Sequence, residues 1–191
     1  NEKQLLGNLE KDEIEYLSTF QLISIKPVIY VCNVDEDSAV NGNEFTKQID
    51  EYAKQNNSEV LLVSAKIESE ISQISDENEK KEFLESLGLA ETGLKRVIRK
   101  GYEILNYINF FTAGEKELRA WTIVKGSLAP TAAGVIHSDM EKGFIRAETI
   151  SYNDYIEFKG EAGSKEKGKL RLEGKEYVVQ DGDVMHFLFN V

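Results

Sequence analysis

The sequence predicts an α/β unit followed by an α+β unit. Three observations carry this. Two compact apolar runs, PVIYVCN from Pro27 and VLLVSA at 60–65, are each followed by a helical pattern, and strand–helix alternation of this kind builds a parallel sheet with crossover helices. Near residue 107 the pattern changes to aromatic-rich strands, INFFTA and LRAWTIV. The charge balance shifts there too, with 12 Lys+Arg against 21 Asp+Glu up to residue 107 and 11 against 13 beyond it.

Taken in order, residues 1–22 read as the end of a helical segment, because Leu5, Leu6, Leu9 and Leu17 recur near helical spacing between charges. The run after Pro27 is rich in β-branched residues and reads as a fully buried parallel strand. A polar loop, VDEDSAVNGN, follows, and Phe45, Ile49, Tyr52 and Ala53 mark one helix face. VLLVSA is the second buried strand, continued by a helix through Ile67, Ile71 and Ile74. Asp76 caps the next helix and Gly88 ends it. Thr92 caps another, whose stripe runs Leu94, Val97, Ile98, Gly101, Tyr102 and Leu105. Two parallel strands cannot cover their own faces, so this half reads as part of a larger α/β domain.

In the second half FIRAETI reads as a strand entered through the turn EKG at 141–143. Ser151 and Asp154 form an S-x-x-D capping box for the short helix YNDYIEFK. EYVVQDGDVMHFLF reads as two strands joined at Asp181-Gly182. GEAGSKEKGKLRLEGK at 160–175 reads as an exposed polar loop. Residues 108–191 are thus four or five strands with one or two short helices.

Apolar residues make up 41% and charged residues 30% of the 191 residues, a globular composition that excludes wholesale disorder. The longest apolar stretches fall far below the roughly 18–20 residues of a membrane helix, so no membrane partner is expected. The start, NEKQLLGNLEKDE, lacks the basic end and apolar centre of a signal peptide. One cysteine, Cys32, excludes an internal disulfide and fits a reducing, cytoplasmic compartment. A net charge of −11 disfavours phosphate backbones, except where the near-neutral second half focuses a basic face.

The motifs sort quickly. Gly163–Lys169 spells G-x-x-x-x-G-K, but Leu170 stands where a phosphate-binding loop needs Ser or Thr, and no buried strand precedes it. His137, His186 and Cys32 make no metal spacing, and no catalytic constellation emerges. His186 and His137 read as structural. The informative motif is N-V-D-E, Asn33–Glu36, at the C-terminal end of the first buried strand, with S-A-K, Ser64–Lys66, at the same end of the second. Ligands of open α/β sheets bind at that edge. GTP-binding proteins read their base with N-K-x-D and S-A-K on successive strands. Here Val34 replaces the Lys and Glu36 the Asp. Glu is one methylene too long for the bidentate guanine contact, so selection for guanine is lost.

These motifs, with KPVIYVCNVDED, VLLVSAKIE, TGLKRVIRKGYEIL, FFTAGEKELRAWTIVKGSLAPTAAGVIHSDMEKGFIRAE and GKLRLEGKEYVVQDGDVMHFLFNV, resemble the YchF family of Obg-like ATPases across essentially the whole chain. The resemblance implies a P-loop NTPase built from a Ras-like nucleotide domain, a helical coiled-coil insertion and a C-terminal TGS domain of β-grasp type, preferring ATP over GTP. Residues 1–26 would be the end of the insertion, 27–107 the C-terminal part of the nucleotide domain and 108–191 the TGS domain. The phosphate-binding loop and the Mg²⁺ ligands would lie outside this chain, which alone is expected to be inactive. Asn33, Val34, Glu36, Ser64 and Ala65 would hold the base. A cationic and aromatic set, Arg119, Trp121, Lys142, Arg146 and Lys169, points to ribosome or RNA contact through the TGS domain. The rival reading is a non-enzymatic β-grasp module that binds RNA, the ribosome or another protein. Oligomeric state is open.

Overall fold

Apolar β-branched runs form the strands of two sheets, and in the first the C-terminal ends of two parallel strands lie side by side. The computed structural model describes residues 10–114 and 117–190. The chain divides into two units, Asn1–Ile104 and Leu105–Val191. The sequence-based expectation for Leu5, Leu6 and Leu9 falls outside the described residues.

The first unit contains α1 (Lys11–Ser18), a 3₁₀ turn (Ile23–Ile25), β1 (Ile29–Asn33), α2 (Glu44–Gln55), β2 (Glu59–Val63), α3 (Ala65–Gln73), α4 (Glu77–Ser86) and α5 (Gly93–Ile104). β1 and β2 pair in parallel, from Ile29↔Glu59 to Asn33↔Val63. Asn43 and Thr46 cap α2 reciprocally, Asp76 accepts hydrogen bonds from the amides of Asn78 and Glu79, and Thr92 Oγ1 accepts from Lys95 N. Each satisfies amides that a helix start leaves open. Gly88 follows α4 with φ +71°, a conformation that favours glycine. Ile67 and Ile71 sit buried on α3, whereas Ile74 is its C-cap.

Full burial of the two strands is not observed. Val31 is 51% exposed. Among the described residues the sheet has two strands, and the core of Val34, Ala39, Ile67, Ile71 and Leu84 covers one side. On α2 and α5 the apolar stripes likewise leave Phe45, Tyr52, Leu94 and Ile98 exposed.

The second unit contains β3 (Tyr107–Ala113), β4 (Leu118–Val124), α6 (Ala129–Ile136), α7 (Ser138–Lys142), β5 (Phe144–Ser151), α8 (Tyr152–Glu157), α9 (Glu161–Glu166), β6 (Arg171–Glu173) and β7 (Asp183–Phe189). The sheet order is β4-β3-β7-β5-β6. β3 and β7 are parallel and the other neighbours antiparallel. Ala129, Ala132 and Ala133 of α6 pack with Ile108, Phe110, Phe144, Ala147 and Phe187 of the sheet into one core. Alanines at these positions let the helix approach the sheet closely.

Several sequence expectations change here. Tyr107 opens β3 opposite Val124 rather than closing the helical unit. Helix α6 was not foreseen. EKG at 141–143 ends the short helix α7, with Gly143 as its C-cap. The 160–175 segment is not a loop. It holds α9 and β6, because Ser164 is fully buried and its hydroxyl donates to Gly160 O at 2.8 Å. Tyr177–Gln180 is not a strand. Val178 bridges Leu128, and Val179 enters the core with its amide donating to Ser127 O. That loop is fixed by buried Asp183, which accepts from the Tyr177 hydroxyl at 2.7 Å and from Gln180 N at 2.9 Å. Burial first, then the Asp183 carboxylate, pushes the Tyr177 phenol well above its ordinary range. The S-x-x-D pattern caps α8 on one side only: Ser151 Oγ accepts from Asp154 N at 3.2 Å, while Asp154 Oδ2 accepts from the Ser151 hydroxyl at 2.6 Å rather than from the Ser151 amide.

Candidate functional site

Parallel pairing in register brings Asn33 and Val63, the last residues of β1 and β2, to one sheet edge. The chain leaves β1 with Val34, which is buried and donates its amide to Val63 O at 2.9 Å. Asn33 Oδ1 accepts from Ala65 N at 3.0 Å. This ties the end of β1 to the first residue of α3, and it occupies one of the amides a helix start leaves open. The Asn33 Nδ2 donors have no partner among the described residues.

The following loop is held by its own side chains. Asp35 Oδ1 accepts from Ser38 N at 2.8 Å, and the Ser38 hydroxyl and amide hold the Asp35 carboxyl below its usual range. Glu36 O accepts from Ala39 N at 3.1 Å. The Glu36 carboxylate turns to Lys66, with Oε1 2.9 Å from Nζ, and this pairing raises the Lys66 pKa. Both side chains are exposed enough for solvent to screen the pair, so it fixes direction rather than adding much stability.

Ser64 is 4% exposed. Its carbonyl accepts from Glu68 N at 3.0 Å, while its Oγ is buried and without a hydrogen-bond partner among the described residues. A buried hydroxyl in that state is an exception among buried polar groups. Ala65 is exposed beside it. One turn later Glu68 accepts from Gly93 N at 2.6 Å and Leu94 N at 3.3 Å, an acid on the α5 N-terminus. Arg96 reaches back to Leu62 O. The edge therefore offers Asn33 amide protons and the 34–36 backbone, with Glu36 drawn aside.

Lys66 and Glu68 were missed as site residues by sequence reasoning. Lys66 was visible in S-A-K, but its pairing with Glu36 joins the first turn of α3 to the loop after β1. No group of three metal-ligating side chains occurs among the described residues.

The cationic set lies on separate elements of the second unit. Arg119 on β4 stacks over Trp121, 4.1 Å from the ring centroid, and Trp121 Nε1 donates to Thr112 Oγ1 at 3.0 Å. Arg146 is exposed on β5, which lies beyond β3 and β7 in the sheet. Lys142 is exposed at the end of α7, and Lys169 pairs with Asp154 at 3.1 Å. His137 caps α7, its Nδ1 accepting from Asp139 N at 3.2 Å, and His186 is exposed on β7 opposite Glu148. Gly163 to Lys169 runs from inside α9 into the turn after it, a helical course with no strand before it.

Comparison with known proteins adds independent findings. The family model YchF-GTPase_C, described as a protein of unknown function (DUF933), matches residues 107–190. The chain is 55% identical over 183 residues to the ribosome-binding ATPase YchF of Haemophilus ducreyi, covering 96% of this chain and 50% of that protein. It is 53% identical over 183 residues to the ribosome-binding ATPase YchF of Bacillus subtilis, covering 95% and 50%. The solved Schizosaccharomyces pombe YchF GTPase superposes with a TM-score of 0.81 at 35% identity, over 95% of this chain and 48% of that one. The chain thus spans about half the length of the curated relatives it matches.

Proposed function

Because the chain belongs to the YchF family, we propose that it supplies the base-binding edge and the TGS domain of an ATP-hydrolysing P-loop protein that acts as a ribosome-associated switch in the cytoplasm. The observation that carries this reading is the β1–β2 edge. Asn33 at the end of β1 braces Ala65 at the start of α3 and keeps its Nδ2 protons unpaired among the described residues, while Glu36 is turned away to Lys66. That is a cradle for a planar base with polar edges, at the strand end where α/β sheets take ligands.

The same edge argues for adenine over guanine. A guanine reader needs a carboxylate facing the base, and here Glu36 faces Lys66. Base recognition then falls to the 34–36 backbone and the Asn33 amide. The described residues of this chain fit the base but offer no ligand set for the nucleotide's Mg²⁺. The phosphates, their Mg²⁺ and the attacking water belong to the half of the relatives that this chain does not span. Positioning those groups is most of phosphoryl-transfer catalysis, so this chain alone has no turnover.

The second unit's order β4-β3-β7-β5-β6, with β3 and β7 (its first and last strands along the chain) paired in parallel at the centre, supports the β-grasp reading of the TGS domain. Ribosome or RNA contact through it rests on the names of the relatives and on exposed Arg119, Lys142 and Arg146. Titrating the intact protein with ATP and GTP tests the base assignment. ATP should bind at least as well as GTP. Glu36→Asp with Val34→Lys should move the ratio toward GTP by ten- to a hundredfold, the worth of roughly 1–3 kcal/mol for a bidentate contact. A native preference for GTP of tenfold or more refutes the assignment.

A further inference from the structure

β4 ends the second unit's sheet, with β3 as its neighbour. Gly114 N donates to Glu117 O at 2.9 Å at one end of the hairpin, and Lys125 N to Asn106 O at 2.7 Å at the other. With the unbroken register between them, these bonds fix the phase. Arg119, Trp121 and Ile123 exchange hydrogen bonds with β3. Leu118 and Ala120 turn their amides and carbonyls outward, and Val124 turns its amide outward while its carbonyl accepts from Ser127 N at 3.1 Å and Ser127 Oγ at 2.7 Å. Leu118 is 76% and Val124 53% exposed.

Free edges are normally blunted by proline, a bulge, short length or a charge projecting from the strand. β4 has seven residues, no proline and no bulge, and its one charge, Arg119, folds over Trp121. From this we infer that β4 is a docking edge for an extended segment of a partner protein. A row that alternates donor and acceptor at the two-residue strand repeat matches another main chain. It does not match a nucleic-acid backbone, whose phosphates only accept. Arg119 and Lys125 make no ion pair among the described residues, so the segment carries a carboxylate opposite Arg119 and apolar residues against Leu118 and Val124. A second copy is disfavoured. One short strand buries far less than the roughly 1,200 Å² of a lasting interface, and each copy brings a net charge of −11.

The test uses the full chain and a blocked nonapeptide of alternating Val and Thr with one central Asp, titrated to about 1 mM. Binding should slow amide exchange at Leu118, Ala120 and Val124 at least tenfold and leave Arg119, Trp121 and Ile123 unchanged. Two further peptides are N-methylated at every second amide, in opposite phases. One phase should bind like the parent and the other should fail, whatever the strand direction. Ala120→Pro removes an amide that β3 does not use, and it should weaken binding tenfold or more. Replacing the central Asp by Lys should also weaken it. The proposal is overturned if the parent peptide gives no protection, or if both methylated phases bind alike. It is equally overturned if a single-stranded oligouridylate protects the same amides, or if sedimentation shows self-association that Ala120→Pro abolishes.

Discussion

Replacing Asn33 separates bracing from base contact. Its Oδ1 accepts from Ala65 N at 3.0 Å, across 32 residues of sequence. Alanine removes this acceptor. Ala65 is exposed, so water takes over its amide and no buried donor is orphaned. The expected loss is the net worth of one hydrogen bond, about 1 kcal/mol, not the larger penalty of an unpaired buried group. In local opening that is roughly a fivefold change. Amide hydrogen exchange at Ala65 should therefore accelerate about fivefold or more in Asn33→Ala, with residues 105–190 unaffected. Asn33→Asp keeps an acceptor in place, now charged and favourably set at the α3 N-terminus. It should preserve the Ala65 protection while removing both amide donors. If those donors meet the base, Asn33→Asp in the intact protein loses about tenfold in ATP affinity, the worth of one hydrogen bond to a buried ligand. Unchanged Ala65 exchange in Asn33→Ala refutes the brace. Full ATP affinity in Asn33→Asp refutes the base contact.

Other outcomes follow from the second unit. A Cβ on Gly163 would overlap the Phe158 carbonyl oxygen, so Gly163→Ala should destabilise that unit by about 1–3 kcal/mol in urea unfolding; a neutral variant would refute the packing of α9 on α8. Asp154 is held below the usual carboxylate range by the Ser151 hydroxyl and then by Lys169. A depressed pKa gives stability that is present above the unfolded value near 4 and lost as pH falls through the folded one. Asp154→Asn should flatten the acid branch of stability below about pH 4, and circular dichroism against pH reads it. Residues 105–191 expressed alone should unfold cooperatively in urea; a featureless circular dichroism spectrum would refute the division at 104/105. The whole chain should hydrolyse neither ATP nor GTP above background, and turnover abolished by Asn33→Ala would refute the proposed assignment of catalysis to the part of the relatives that this chain does not span.

The strands and caps of the first unit were legible because each rests on local chemistry. Pro27 and the β-branched run mark β1, and Asp76 and Thr92 announce their helices. Helix α6 was not read from the sequence: Pro130 stands in its first turn, but Ala129, Ala132 and Ala133 are small and give a weak apolar signal. The 160–175 segment was opaque for another reason. Its composition is polar, and only the tertiary contacts of Gly163 and Ser164 make it helical and partly buried. Val179 was read as a strand from its β-branched neighbour, yet it serves as a core plug on a loop. At the candidate site, motif spacing located Asn33, Glu36 and Ser64. What it could not give was the direction of the Glu36 carboxylate, because Lys66 approaches from the first turn of α3.

The parallel pairing of β3 with β7 also dictates a timetable. β3 leaves the ribosome early in the second unit, and its central partner follows about 70 residues later, some 3–14 s at ordinary synthesis rates of roughly 5–20 residues per second. Through that interval the β3–β4 hairpin has its apolar face built and no central strand to close against. Phe110, fully buried in the finished unit, is then in water. The last strand is the keystone, so a nascent chain stalled before residue 183 carries an open sheet with two unpaired edges. Such a chain depends on holding factors in a way the completed one does not.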